Sequence, residues 1–169
     1  MTKYRVNKTA DQVSQLAQNI RTLYASQKSY NTLNSTVIKK AHLAPEDMYD
    51  NTNSTTLYNP FGGQVSVSYA GKIYDSDAKA FYIGMGSLPQ EACIELLTQD
   101  WGSGSSSGLI AVGRASIWAA LYNCSDLGSN SNPYYRCAKN GVIPVDTALP
   151  CVIRQLIIIC IGNFTDYII

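Results

Sequence analysis

Charged side chains are scarce in this chain, and histidine is almost absent. Asp, Glu, Lys and Arg make up only 15% of its 169 residues, and His42 is the single histidine, whereas soluble domains carry roughly a quarter charged residues. The net charge is +1 and no basic run exceeds Lys39-Lys40, which gives no electrostatic case for nucleic-acid binding. The polar surface must therefore come from Ser, Thr, Asn, Gln, Gly and the 12 tyrosines, a profile that favours an extracellular or assembling protein.

Long apolar runs and an export signal are missing as well. The most apolar run, LIIICI at 156–161, is far too short to span a bilayer. The first residues, MTKYRVNKT, are polar and basic, unlike a secretory signal peptide. We therefore expect a further segment in front of Met1.

The cysteines lack metal-site spacing and all lie in the second half of the chain. They are Cys93, Cys124, Cys137, Cys151 and Cys160. With no C-x-x-C pair and one histidine, a zinc site is not expected. Five cysteines in an oxidising compartment allow two disulfides and one leftover thiol, and the sequence alone selects no pairing.

The first predicted element is an amphipathic helix over residues 10–26, started by a cap at Thr9 or Asp11. Its apolar stripe, at helical spacing, is Val13, Leu16, Ala17, Ile20, Leu23 and Tyr24. Residues 27–58 are rich in Ser, Asn, Thr and Tyr, which predicts a long loop containing a short helix at Thr36–Ala41 that stops near Pro45.

Strand signals follow at Gln64–Ala70, Lys72–Tyr74 and Ala80–Met85, with a hairpin turn near Gly71. A second helix is predicted from a capping box at Ser87 with Pro89 early in the first turn. Its shared face is Ala92, Cys93, Leu96 and Leu97.

The rest of the chain is mostly turn-rich. GSGSSSG at 102–108 is predicted to be a loop and Leu109–Val112 a short strand. Ile117–Tyr122 could form a strand or a short helix, of which we favour the helix. After an irregular stretch at 123–150, Cys151–Ile161 is nearly continuously apolar, which predicts a central strand. Together these elements predict one domain over residues 1–169 of the α+β class, with the sheet and the cysteines in residues 59–169.

No catalytic constellation emerges from the motifs. Gly104–Gly108 matches G-x-S-x-G around Ser106, but a helix precedes it and His42 lies upstream, so a Gly/Ser loop is the better interpretation. A Cys93–His42 thiolate pair competes with a structural disulfide or buried thiol. The carboxylates at 46–47 and 75–77 lack EF-hand spacing. The five Asn-x-Ser/Thr sequons are expected by chance in such a composition, and we predict neither enzyme activity nor a cofactor.

Four stretches, taken in order, carry a resemblance to a known family. They are IRTLYASQKSY (20–30), the turn at 44–48 with its x-Pro-x-x-Met pattern, NPFGG (59–63) and LPQEACIELLTQDWG (88–102). Together they resemble the type IVb pilins, in particular the PilS-like major pilins of enteric bacteria, from about residue 10 to about residue 125. NPFGG then becomes the turn that leads from the helix–sheet loop into the first strand, using the freedom of Gly62 and Gly63 and the fixed φ of Pro60.

The resemblance implies a fold and a disulfide-closed C-terminal region. A long N-terminal helix would pack on an antiparallel sheet through Val13, Leu16, Ile20, Leu23 and Tyr24. A bridge from Cys93 would reach Cys151 or Cys124. We favour Cys93–Cys151 with a local Cys124–Cys137 bridge, which leaves Cys160 as a buried free thiol. The tail at 126–169 departs from the family pattern.

The resemblance also implies a function. The chain would be a structural subunit that assembles with other pilin subunits into a surface filament for adhesion, aggregation or mating contact. An apolar half-helix in front of this chain would anchor it in the inner membrane before assembly. The loops at 27–58 and 123–150 would face neighbours or the outside, and Tyr134, Tyr135 and Arg136 are candidate contacts to a host receptor or recipient cell. The alternatives are a minor pilin or pseudopilin, or a secreted disulfide-bonded binding domain or small enzyme.

Overall fold

A long helix, two shorter helices and a five-stranded sheet form the described part of the molecule. The computed structural model describes residues 2–27, 29–52, 54–69, 80–101, 109–114 and 156–161, with the backbone alone at residue 80 and in the last two ranges. The predicted strand at 72–74, the helix at 117–122 and the irregular stretch at 123–150 lie outside these residues. The α+β class is confirmed.

Helix α1, Thr2–Leu23, is the longest element, about 33 Å at 1.5 Å per residue. It buries one stripe, formed by Val6, Thr9, Ala10, Gln12, Val13, Leu16 and Ile20. Helical spacing places these residues on one side, where burial of the apolar members drives the packing. Among the residues described, no helix has both the length and the apolar character that crossing a membrane requires.

The predicted limits of α1 are wrong at both ends. The helix already includes residues 2–9, so neither Thr9 nor Asp11 caps it; the Thr9 hydroxyl instead donates to the Arg5 carbonyl at 2.8 Å. The mostly polar residues at 2–9 hid this start, because Val6 is the one apolar residue that the buried stripe has there. Leu23 is the last helical residue and is 45% exposed, so its place in the buried stripe was also wrong, whereas Tyr24 is buried.

Residues 24–56 contribute to the core as well as to the surface. Helix α2 spans Ser35–Lys40, as predicted within one residue, and Asn34 caps it by accepting from the Val37 backbone N–H at 3.0 Å. A 3₁₀ turn follows at Glu46–Met48. Seven apolar residues of this segment are buried, namely Tyr24, Tyr30, Leu33, Ile38, Leu43, Ala44 and Met48. The segment is therefore not a loop that faces outward throughout.

The sheet consists of strands β1 (Leu57–Tyr58), β2 (Gln64–Tyr69), β3 (Ala80–Met85), β4 (Leu109–Arg114) and β5 (Leu156–Ile161). All pairings are antiparallel and the spatial order is β1-β2-β3-β5-β4. Strands β2 and β3 match the predictions closely, and β5 occupies the interior position that its apolar run predicted. On β2, Val65 and Val67 are buried while the residues between them are more exposed, which is the alternation of a half-buried strand.

Helix α3, Gln90–Thr98, buries Ala92, Cys93, Leu96 and Leu97, the face that was predicted. The predicted capping box is wrong. Ser87 lies in the left-handed region at φ 53°, and Pro89 is the N-cap, whose carbonyl accepts from the Cys93 N–H at 2.9 Å without a side-chain cap. At the other end, the Trp101 indole donates to the Leu96 carbonyl at 2.7 Å, which satisfies one carbonyl of the last turn.

Candidate functional site

The NPFGG stretch forms a hairpin turn organised by the buried side chain of Asn59. Its Oδ1 accepts from the backbone N–H groups of Phe61 at 2.9 Å and Gly63 at 3.1 Å, and its Nδ2 donates to the Gly86 carbonyl at 2.8 Å. The main chain adds a bond from the Gly62 N–H to the Asn59 carbonyl at 2.9 Å. One 4%-exposed side chain thus closes the turn and ties it to the end of β3.

The two glycines of the turn serve different purposes. Gly62 has φ +79° with open space around it, so it supplies the left-handed residue of the hairpin loop. Gly63 has no positive φ; a Cβ there would lie 1.8 Å from the Gly86 carbonyl oxygen. Its lack of a side chain lets two backbone segments meet.

The prediction for this turn was partly wrong. The chain does not pass from a loop into its first strand, because Leu57–Tyr58 already pairs with Gln64 and Val65 before the turn. Two residues are too few to show strand periodicity. Asn59 and Gly86 were missed as functional members of the turn, although an Asn directly before Pro is a known signal for side-chain-closed turns.

A polar clamp joins α1 to the 3₁₀ turn. Lys8 Nζ lies 2.6 Å from Asp47 Oδ2, and the side chain of the buried Gln12 is a lesser cause that lowers the pKa of the same carboxyl group. The hydrogen bond from Lys8 is the main cause that holds the pKa of Asp47 below its ordinary value, and the same bond raises the pKa of Lys8. Sequence reasoning found only that the carboxylates at 46–47 lack EF-hand spacing, and it missed this contact.

Two further tethers fix the segment between helix and sheet. Lys39 Nζ donates to the backbone carbonyls of Ser54 at 2.5 Å and Thr52 at 3.4 Å. The Tyr49 hydroxyl donates to the Ile38 carbonyl and accepts from the Ala44 N–H, both at 3.2 Å, and burial is the main cause that raises its pKa. A long polar segment is thereby held against the core by side chains that bind main-chain groups.

Three aromatic rings connect the end of α1 to the sheet. Tyr24 and Tyr30 have ring centroids 5.1 Å apart, and Tyr30 and Phe81 of β3 are 4.9 Å apart, all tilted rather than stacked. Tilted pairs at these separations add to the area that the rings bury. These ring contacts give Tyr24 and Tyr30 a structural role that the sequence did not reveal.

The cysteine predictions are tested only in part. Cys93 is fully buried on α3 and disulfide-bonded, so it cannot act as the thiolate of a Cys–His pair. Cys124, Cys137 and Cys151 lie outside the described residues, and the Cys93–Cys151 and Cys124–Cys137 bridges stay predictions. The backbone of Cys160 lies opposite Phe81 in the β3–β5 register; its state as a free thiol also stays a prediction.

Other sequence candidates are dispersed or undescribed. His42 is an exposed residue whose Nδ1 lies 3.7 Å from Glu46 Oε1. Within the described ranges, no group of three or more His, Cys, Asp or Glu side chains is placed to hold a metal ion. Ser106 and the candidate contacts Tyr134, Tyr135 and Arg136 lie outside the described residues.

Aromatic and charged side chains are exposed on α1, β2 and α3. Tyr4 is 71% exposed and Tyr69 is 40% exposed. Arg5 lies with its guanidinium 5.9 Å from the centroid of the Phe61 ring, which brings the start of α1 over the NPFGG turn. On α3, Glu91 and Glu95 are both exposed. With no catalytic cluster in the described part of the chain, these outer faces are the candidate functional surface.

Comparison with known proteins identifies relatives of one kind. The model of the Bundlin family matches residues 2–132. The major structural subunits of the bundle-forming pilus from Escherichia coli O111:H- and from Escherichia coli O127:H6 are each 26% identical over 132 residues. That alignment covers 78% of this chain and 62% of each relative, so the chain spans less than two thirds of their length.

A solved structure shares the fold. The crystal structure of the type IVb pilin from Salmonella typhi superposes with a TM-score of 0.59 at 18% identity, covering 93% of this chain and 99% of the other. At that identity the likeness shows the fold alone. It confirms the long helix seated on an antiparallel sheet that the resemblance implied.

Proposed function

Because the chain belongs to the bundlin family, we propose that it is a structural subunit of a bacterial type IVb pilus. The family match over residues 2–132 is the observation that carries this proposal. The relatives named as major structural subunits of the bundle-forming pilus, and the shared fold of a type IVb pilin, support it. The working parts of such a protein are surfaces that bind other copies of the same chain.

The geometry suits a building block. Helix α1 is joined to the segment that follows it by the Lys8–Asp47 ion pair and by Asn19, whose Nδ2 donates to the Leu43 carbonyl at 2.8 Å. The Asn59 turn then fixes the β1–β2 hairpin to the end of β3. A subunit with many tethers between its elements keeps its outer faces in fixed positions, which repeated assembly requires.

The finer parts of the proposal concern partners and location. The chain would associate with further pilin subunits in a filament at the bacterial surface, where it would serve adhesion, aggregation or mating contact without catalysis. A receptor on a host or recipient cell is a further proposed partner. Support for these roles comes from family membership and from the exposed aromatic and charged residues on α1 and α3.

Immunogold electron microscopy of the source bacterium, with antibody raised against this chain, tests the proposal. We expect label along whole filaments, and loss of both label and filaments when the gene is deleted. Label confined to filament tips would indicate a minor pilin. Unlabelled filaments with antigen free in the medium would contradict the pilus role and favour a secreted binding domain.

A further inference from the structure

The first two turns of α1 bury little apolar surface. Val6 is the one apolar side chain of residues 2–9 that is buried, and the Thr9 hydroxyl bonds back to its own helix at the Arg5 carbonyl. The later turns contain three apolar side chains that are at most 2% exposed, namely Val13, Leu16 and Ile20. Apolar burial is the dominant favourable contribution to folding, so α1 is seated on the core mainly through its second half.

Two cations at the start of α1 contact two separate turns of the chain. The Arg5 guanidinium lies 5.9 Å from the centroid of the Phe61 ring, within the range of a cation–π interaction. Lys8 Nζ lies 2.6 Å from Asp47 Oδ2. Arg5 and Lys8 are three residues apart, which makes them neighbours on the helix surface. One face of these first turns therefore contacts both the NPFGG turn and the 3₁₀ turn.

Both contacts are weak enough to open without unfolding of the domain. The side chains of Lys8 and Asp47 are 38% and 41% exposed, and Arg5 is exposed as well, so water and salt screen the charges. An exposed ion pair or an exposed cation–π pair changes an equilibrium by about two- to fivefold. Segments with few buried apolar contacts open locally, at a lower free energy than the whole domain.

We infer that Arg5 and Lys8 form a latch that holds residues 2–9 against the domain, and that these two turns undock as a unit while the rest stays folded. The latch consists of the pairs Arg5–Phe61 and Lys8–Asp47. Opening of the latch changes the direction in which α1 begins relative to the sheet, and salt favours opening because it screens charges. The inference concerns the single chain and does not depend on the proposed pilus function.

Native-state amide hydrogen exchange of the purified chain, measured by NMR at low concentrations of urea, tests the latch. Amides 6–10 report on the latched turns, because the first four N–H groups of a helix have no intrahelical acceptor. Amides 16–20 report on the core. We expect amides 6–10 to exchange at least about tenfold faster than the core amides and with almost no urea dependence, since local opening exposes little surface.

Two double variants with the same loss of charge separate the latch from a general charge effect. The test variant carries Arg5→Gln with Lys8→Gln, which preserves helix propensity. The control carries Lys3→Gln with Lys40→Gln, two exposed cations outside the latch. Exchange at amides 6–10 should rise about four- to twenty-five-fold in the test variant and less than about twofold in the control. Salt at about 1 M should move the wild-type chain towards the test variant, because the screening length falls to about 3 Å.

Phe61→Leu tests the cation–π pair from the side of the ring. It should accelerate exchange at amides 6–10 by the same factor as Arg5→Gln alone. The combination of the two changes should be no faster than either one, because both remove the same contact. Additive acceleration would show that the ring and the cation act separately, and would overturn this half of the latch.

Two other results would overturn the latch as a whole. One is a wild-type chain in which amides 6–10 and 16–20 share one urea dependence, since the first turns would then open only when the domain unfolds. The other is a test variant that exchanges no faster than the control, since the start of α1 would then be held without help from its cations. Both results leave the pilus proposal as it stands, because that proposal rests on family membership.

Discussion

Alanine at Gly63 should damage the fold more than alanine at Gly62, although the two glycines are adjacent. A Cβ on Gly63 would lie 1.8 Å from the Gly86 carbonyl oxygen and 2.9 Å from Asn59 Nδ2, whereas a Cβ on Gly62 meets nothing within 4 Å. The atom in the way is backbone, so it cannot move aside as a flexible side chain would. Gly62→Ala therefore serves as the matched control.

The expected magnitudes follow from the contacts. To admit the new methyl group, Gly86 must move away from two bonds of 2.8 Å, one from Asn59 Nδ2 and one to the Gln64 carbonyl. A buried polar group left unpaired costs about 1–3 kcal/mol, so Gly63→Ala should lower the free energy of unfolding by roughly 2–4 kcal/mol. At Gly62 the cost is that of a left-handed residue with a Cβ, about 1–2 kcal/mol.

Urea unfolding of the oxidised protein, followed by tryptophan fluorescence and far-UV circular dichroism, measures both changes. In a chain of this length each kcal/mol lowers Tm by about 2–4 °C. Combining Gly63→Ala with Asn59→Ala should cost less than the sum of the two, because both remove the same bond to Gly86. Equal losses for Gly62→Ala and Gly63→Ala, or strict additivity in the double variant, would refute the steric explanation.

Three further changes have defined outcomes. Asp47→Asn should lower the free energy of unfolding by at most about 1 kcal/mol at pH 7, because the Asp47–Lys8 pair is partly exposed. The pKa of Asp47 is lowered in the folded state. The stabilisation by the ion pair is therefore present above the ordinary carboxyl pKa and is lost as the pH falls through the folded-state pKa of Asp47. Ile20→Ala should cost about 2–5 kcal/mol, and Leu23→Ala far less, in urea unfolding. Lys39→Met should speed amide hydrogen exchange in residues 50–56, because it removes the ammonium that binds two loop carbonyls.

Each of these tests has its own control. A stability gap between wild type and Asp47→Asn that persists unchanged at pH 2 would argue against the clamp. Equal losses at Ile20 and Leu23 would mean that the buried stripe extends to the end of α1. Lys40→Met, one residue from Lys39 and exposed, should leave exchange in residues 50–56 unchanged, and equal effects would point to general loosening of α2.

Sequence periodicity was sufficient to predict an element when several of its residues lie on one buried face. The face of α3 was predicted residue by residue, because Ala92, Cys93, Leu96 and Leu97 are separated by helical intervals. Strands β2 and β3 were found from alternation and β-branched content. In both cases the signal is local, because burial on one side selects the residue types there.

The misses depend on contacts that are distant in sequence. Gly86 is 27 residues from Asn59 in sequence, yet its carbonyl oxygen is the reason that a side chain at position 63 would not fit. The partner of Lys8 lies 39 positions further on, at Asp47. Strand β1 is only two residues long and is defined by pairing alone. The residue types at NPFGG predicted a turn, and the tertiary structure shows that this turn is hydrogen-bonded to Gly86.

The strand order has a consequence for how this protein folds. Strand β4 joins the rest of the sheet only through β5 in the described part of the chain, and β5 lies more than 40 positions later. During synthesis, β1, β2 and β3 can pair early, whereas β4 must wait for Leu156–Ile161. Such non-local pairing raises contact order and slows folding. The sheet closes around a strand that is made late, so a nascent chain that ends before Leu156 leaves the β3 and β4 edges open to aggregation.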